Sequence, residues 1–193
     1  MKKITYVMAF AMLASTVSFA QEYKKFKVGV GLGYAMASGS GSSGGVLFAI
    51  EPAYRLKDNI SIGIKLEDAV IVRGFSQSTT SASLSAAALA SSTFNGQYYF
   101  GSTSFRPFVG LGCGLYQLAS VSESVSSGGS TVTIGAAAET KLGFYPRIGF
   151  DNRHFNVTID YNIIPSTDLG GGNNLNNSYI GFRVGAFFGG GKK

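Results

Sequence analysis

Ten ionisable side chains recur on the polar faces of otherwise apolar, alternating segments: Glu51, Arg55, Lys65, Glu67, Arg106, Glu139, Lys141, Arg147, Asp160 and Arg183. Both signs are interspersed. Two kinds of chemistry are open to such a set. Glu51, Glu67, Glu139 or Asp160 could act as acids or bases if their surroundings drove their proton affinities apart. Alternatively, the carboxylates and cations neutralise one another, as buried charges must. Each carboxylate has candidate basic neighbours, which favours structural ion pairs. The remaining reactive groups are sparse. His154 is the only histidine and Cys113 the only cysteine. His154 falls at a turn, and a lone turn histidine does not make a metal site. With no histidine near the loop-rich ends of the segments, the familiar catalytic triad is unavailable. Cys113 lies on an apolar face as a small filler and has no partner for an internal disulfide. No catalytic residue, metal ligand or cofactor-binding residue is therefore expected, and no cofactor.

Glycines at period two, Gly29, Gly31, Gly33 and again Gly110, Gly112, Gly114, do not form a nucleotide loop. Their spacing departs from the dinucleotide fingerprint and no helical pattern follows. They share faces with the charged residues instead. Small residues there leave room for larger side chains projecting from neighbouring strands.

The elements that must position these groups have the period of β-strands. In residues 25–36, Phe26, Val28, Val30, Leu32, Tyr34 and Met36 form one face, with Lys27, Ala35 and three glycines on the other. The same alternation runs through 46–56, 60–72, 105–118, 132–150, 155–163 and 178–188, and through the later half of 86–100, the weakest segment by composition. Asp68 interrupts the apolar face of the third segment, so either the apolar band ends there or a bulge shifts the register. Short connections at 57–59, 101–104 and 151–153 alternate with long Ser/Gly/Asn-rich ones at 37–45, 74–85, 120–131 and 165–177. Phe26, Tyr54, Tyr98, Phe100, Phe105, Phe150, Phe155 and Phe188 collect at the short-turn ends. Short turns, long loops and an aromatic girdle are the signature of an outer-membrane barrel. The expected fold is all-β: an eight-stranded antiparallel transmembrane up-and-down β-barrel with short periplasmic turns and four long extracellular loops.

Composition agrees. Charged residues make up 13% of the chain, glycine numbers 27, and tryptophan is absent. No segment beyond the first twenty residues approaches the apolar length of a membrane helix. A secreted lipocalin-like barrel shares the period and strand number but turns its apolar face inward. Glycine-rich polar faces and the aromatic girdle argue against it.

Residues 1–20 read as an export signal. Lys2 and Lys3 precede an apolar run from Ile4 to Leu13, and Ser18-Phe19-Ala20 is a small-x-small cleavage site. Cleavage is expected between Ala20 and Gln21, leaving 21–193 as one barrel domain. The formal charge of +6 then falls to +4 once Lys2 and Lys3 are removed. The remaining basic residues are scattered rather than striped, so nucleic acid is not an expected partner.

Particular segments carry a resemblance. Arg106-Pro107-Phe108-Val109-Gly110-Leu111-Gly112 resembles the KPYVGLGVG-type strand of small outer-membrane β-barrel proteins. The run from Ser178 to Lys193 resembles the closing strand and tail of such proteins from Bacteroidetes-type bacteria, and Tyr145-Pro146-Arg147-Ile148-Gly149-Phe150 fits the same pattern. In layout the resemblance covers essentially the whole chain after the leader, with an architecture like OmpX or OmpW. One departure is the tail: Phe188 is followed by Gly-Gly-Gly-Lys-Lys, where many proteobacterial barrels end on an aromatic residue read by the assembly machinery.

The expected function is that of a non-enzymatic integral outer-membrane barrel with a side-chain-plugged lumen and a structural or interaction role. Two alternatives remain open: a narrow conduit for small or hydrophobic solutes, as in OmpW-like barrels, and an accessory role in secretion or adhesion. Expected partners are outer-membrane lipid and lipopolysaccharide, the barrel-assembly machinery, and an extracellular or envelope partner met through the four long loops.

Overall fold

In the computed structural model, residues 23–38, 42–75, 83–121, 138–168 and 174–191 are described. The expected leader, with Ala20 and Gln21, lies outside them, as do the central parts of all four long connections. Eight long strands follow the alternation: β1 (Phe26–Ala37), β2 (Ser42–Lys57), β3 (Ile60–Phe75), β4 (Ser83–Tyr99), β5 (Phe105–Val121), β6 (Ala138–Asn152), β7 (Phe155–Asn162) and β10 (Tyr179–Gly189). Two short strands, β8 (Thr167–Asp168) and β9 (Asn174–Leu175), pair with each other between β7 and β10. The long strands close in the order β1–β10–β7–β6–β5–β4–β3–β2, every neighbour antiparallel, with β1 paired to both β2 and β10. Closure leaves no sheet edge, which is the only way a sheet can satisfy its backbone in lipid.

The apolar face points outward. Leu111 is 68% exposed and Leu142 69%, whereas Lys65 is fully buried. A soluble barrel would show the reverse. Outward residues Phe105 to Leu115 on β5 span ten steps of about 3.4 Å; at a tilt of about 40° they rise about 26 Å, close to the about 25 Å apolar band of outer-membrane barrels. Toward the loops, β3, β5 and β6 turn polar residues outward. Asp68, Ala90, Gln117 and Thr140 are consecutive cross-strand partners from β3 to β6. Pairing runs through Asp68 without a register shift. Of the two readings of Asp68, the bulge is therefore excluded, and the outward face is apolar again at Val70. At the other end, Phe26 pairs with Tyr54 and Ile60 with Tyr98, while the Phe105 and Phe150 rings lie 5.0 Å apart, so the aromatics circle one rim.

The tight turns lie at that aromatic rim. Asp58-Asn59 and Arg153-His154 are turns, and 100–104 joins β4 to β5. The last tight turn is later than expected. Asp151 belongs to β6, paired with Arg106 and Asn156, and its side chain enters the lumen. Arg153 takes the positive φ of 55° that lets so short a turn close. One ladder is interrupted: β6–β7 pairing stops at Arg147–Asp160 and resumes at a Phe144–Ile163 bridge. Pro146 lies between them and has no N–H to donate.

Candidate functional site: the filled lumen

An eight-stranded barrel is just wide enough for its inward side chains to fill. Glu51 on β2, Lys65 and Glu67 on β3, Arg147 on β6, Asp160 on β7 and Arg183 on β10 meet at its middle. Arg147 grips Glu51 in a bidentate pair, Nη1 to Oε1 at 2.6 Å and Nη2 to Oε2 at 3.0 Å. Its Nε donates to Asp160 Oδ1 at 3.0 Å. Lys65 Nζ lies 3.2 Å from Glu67 Oε2 and 3.3 Å from Asp160 Oδ2. Arg183 joins Glu67 at 3.0 Å, Asp160 at 3.3 Å and Glu51 at 3.4 Å. Strands β2 and β6 are four places apart around the eight-stranded ring, as are β3 and β7. The Glu51–Arg147 and Lys65–Asp160 contacts therefore cross the full bore. Three cations face three carboxylates, so the layer balances its charge.

Neutral polar groups extend this layer both ways. Below it, Gln97 Nε2 and Asn95 Nδ2 donate to Glu51 Oε1, at 2.8 and 3.3 Å, and Tyr99 Oη donates to Gln97 at 2.8 Å. Above it, Tyr179 Oη donates to Glu67 Oε1 at 2.5 Å and Tyr116 Oη to Asn162 Oδ1 at 2.8 Å. Lys65 Nζ also lies 4.1 Å from the centroid of the Tyr145 ring. Farther toward the loop end the lumen turns apolar. Leu47, Ile71, Leu89, Tyr116, Tyr145 and Tyr179 pack with Ile164, which enters from the segment after β7.

Glycines make this packing feasible. A Cβ at Gly112 would lie 2.3 Å from Tyr145, and one at Gly31 would lie 2.8 Å from Arg183 Cγ. The largest lumen side chains lie flat over neighbouring glycines. A cavity of about 30 Å³ remains beside Glu51, Arg147 and Arg183, room for a water or two.

The other four residues of the expected set stand elsewhere. Glu139 and Lys141 pair at 3.0 Å near the extracellular mouth, where Thr167 also donates to Glu139 at 2.8 Å. Arg55 and Arg106 lie at the aromatic-rim end, both over the Tyr23 ring, at 4.8 and 4.1 Å from its centroid, and over the Tyr99 ring. The set drawn from the sequence omitted one further ion pair, Lys27–Asp151 at 2.5 Å. Lys27 was visible on the inner face of its segment, but assigning Asp151 to a turn hid its partner. Tyr23 falls before any alternating segment, so no sequence signal marks it. His154 stands at its turn, with Nδ1 3.1 Å from the Phe187 carbonyl oxygen, and Cys113 is exposed on the lipid face. Among the described residues no cluster of His, Cys, Asp and Glu could hold a metal ion.

A closed barrel of antiparallel strands with apolar outside, ionic inside, aromatic rim and short turns at one end defines an integral outer-membrane protein. The family described as "Outer membrane protein beta-barrel domain" matches residues 6–188, and the chain belongs to it. Among solved structures it is similar to Neisserial surface protein A, with 19% identity, a TM-score of 0.57, and coverage of 85% of this chain and 96% of that one. It is also similar to OprG of Pseudomonas aeruginosa, with 15% identity, a TM-score of 0.54, and coverage of 88% and 98%. At such identities the likeness concerns the fold. No curated protein sequence matches the chain at a significant level.

Proposed function

We propose that this outer-membrane protein is a sealed, non-enzymatic barrel whose role is structural or interactive and is exercised at its two ends. The observation that carries this reading is the charge-balanced layer across the bore. Its six side chains are mutually paired, and Glu51 and Asp160 are reached from opposite walls. An ion passing through would have to break contacts whose partners would then be left buried and unpaired, at a cost of several kcal/mol. The apolar cluster around Ile164 adds a second barrier above it. The carboxylates are engaged by guanidinium and ammonium groups, which suits them to structure rather than acid–base chemistry.

In this reading partners meet the chain outside the lumen: lipid and lipopolysaccharide along its wall, the assembly machinery during insertion, and an envelope or extracellular partner through the long loops. Planar-bilayer recording on the refolded protein, with insertion confirmed by protease protection, tests the seal. Silence of the inserted protein is the expected result. Reproducible current steps would replace this reading with that of a narrow conduit.

A further inference from the structure

Beyond the sealed lumen, the periplasmic end holds a pocket that the central layer does not use. It has a volume of about 330 Å³ and lies between the β4–β5 turn, the β6–β7 turn and the segment after β10. Lys24, Arg55, Arg106 and Arg153 line it, with Thr103 and Ser104 beside them. Among the described residues its one lining carboxylate, Asp151, is already held by Lys27 at 2.5 Å and by Asn156 Nδ2 at 2.7 Å. Asp58 lies nearby and accepts from the Tyr23 amide at 3.3 Å. Among the described residues, with Lys27 included, five cations stand beside these two carboxylates.

Arg106 makes the imbalance acute. It is 4% exposed, and it forms no ion pair among the described residues. One terminal nitrogen donates to the Asp58 carbonyl oxygen, and Tyr23 and Tyr99 lie against its plane. Its buried Nε has no hydrogen-bond partner. Buried charge calls for a counter-charge, and a guanidinium edge with a free donor is shaped for the oxygens of a bound anion. The aromatic rim sets this pocket at the level of lipid headgroups.

We propose that the periplasmic mouth is a phosphate-binding pocket, with Arg106 as its buried anchor and Lys24 and Arg153 at its entrance. A phosphate group here comes from an inner-leaflet phospholipid headgroup or from a soluble phosphate. The group would occupy the space beside Arg106 and supply the missing negative charge.

The test titrates inorganic phosphate into the protein folded in lipid-free neutral-detergent micelles, following by NMR the Arg106 Nε–H signal and the backbone amides of Thr103 and Ser104, which line the pocket and remain as the readout in every variant. A saturable shift is expected. Arg106→Gln should weaken binding about tenfold, the loss of one charge-assisted contact. Should that variant not fold, Arg153→Asn carries the test. It removes a charge from an exposed turn, and asparagine tolerates the positive φ. It should weaken binding about threefold. Nanodiscs of phosphatidylglycerol then separate the sources. An Arg106 signal already at its bound position and indifferent to added phosphate assigns the site to the headgroup. A signal that still moves on adding phosphate assigns it to the soluble ion. No shift in micelles together with an unmoved signal in nanodiscs overturns the proposal, as does unaltered phosphate affinity in Arg153→Asn.

Discussion

The middle of the lumen and its periplasmic end are built from the same kinds of side chain and balance them differently. In the middle, three cations meet three carboxylates, and their contacts tie five strands together. At the end, cations outnumber carboxylates among the described residues, and around Arg106 two aromatic faces and a backbone carbonyl stand where a counter-charge would be. A balanced layer needs no ligand and leaves room for a water or two. An unbalanced one keeps a larger space open and favours anions. Charge count, rather than charge content, separates a plug from a pocket.

The largest test of this contrast is Arg147→Ala. It strips the guanidinium that spans Glu51 and Asp160, leaving buried carboxylates facing each other. The variant should lose about 3–5 kcal/mol in urea-unfolding experiments in micelles. It should also pass cations in planar bilayers where the parent is silent. A variant as stable and as silent as the parent would mean the layer neither holds nor seals the barrel. Next come the glycines. Gly112→Ala forces a Cβ toward Tyr145 and should cost about 1–3 kcal/mol. Gly96→Ala meets open space on the lipid face and should stay within about 0.5 kcal/mol of the parent. Equal effects at the two sites would remove the argument that lumen glycines exist to seat large neighbours.

Tyr23→Ala addresses the periplasmic end. Losing the ring that faces Arg55 and Arg106 should cost about 1–2 kcal/mol, less than the central substitution, because no ion pair is broken. Added salt should narrow the deficit by screening the like charges that loss of the ring opens to solvent. A loss matching that of Arg147→Ala would place the mainstay of stability at the end instead of the middle. The smallest effect belongs to Glu139→Gln, whose half-exposed carboxylate pairs with Lys141 at the extracellular mouth. Its unfolding midpoint should match the parent's, and a clear shift would show that this rim pair couples to the lumen.

Much of this was legible in the chain. Alternation alone separated inward from outward faces along most of β1 to β7 and β10, the first half of β4 excepted, because a strand's side chains can point only two ways. That rule also settled the fold: apolar outside, charged inside, and short turns at one end leave a membrane barrel as the consistent solution. It placed Glu51, Lys65, Glu67, Arg147, Asp160 and Arg183 on the inner wall, and it placed Asn95, Gln97, Tyr99, Tyr116 and Tyr145 there too. What alternation lacks is height and partner. It treats Arg55 like Arg147 and Glu139 like Glu51, although they belong to three separate levels. It also misplaced Asp151, because a turn boundary depends on which residue can take a positive φ, and here that is Arg153.

The sequence by itself determined the faces, the strand number and the membrane class, since these follow from local periodicity and turn chemistry. The tertiary structure decided which charges meet across the bore. Strand order and register, summed around a closed ring, bring Arg147 of β6 onto Glu51 of β2 and Lys65 of β3 onto Asp160 of β7. The same closure folds Tyr23 back over Arg106 at the periplasmic mouth. These contacts join residues far apart in the chain, and no local pattern records a distance that exists only once the barrel is shut.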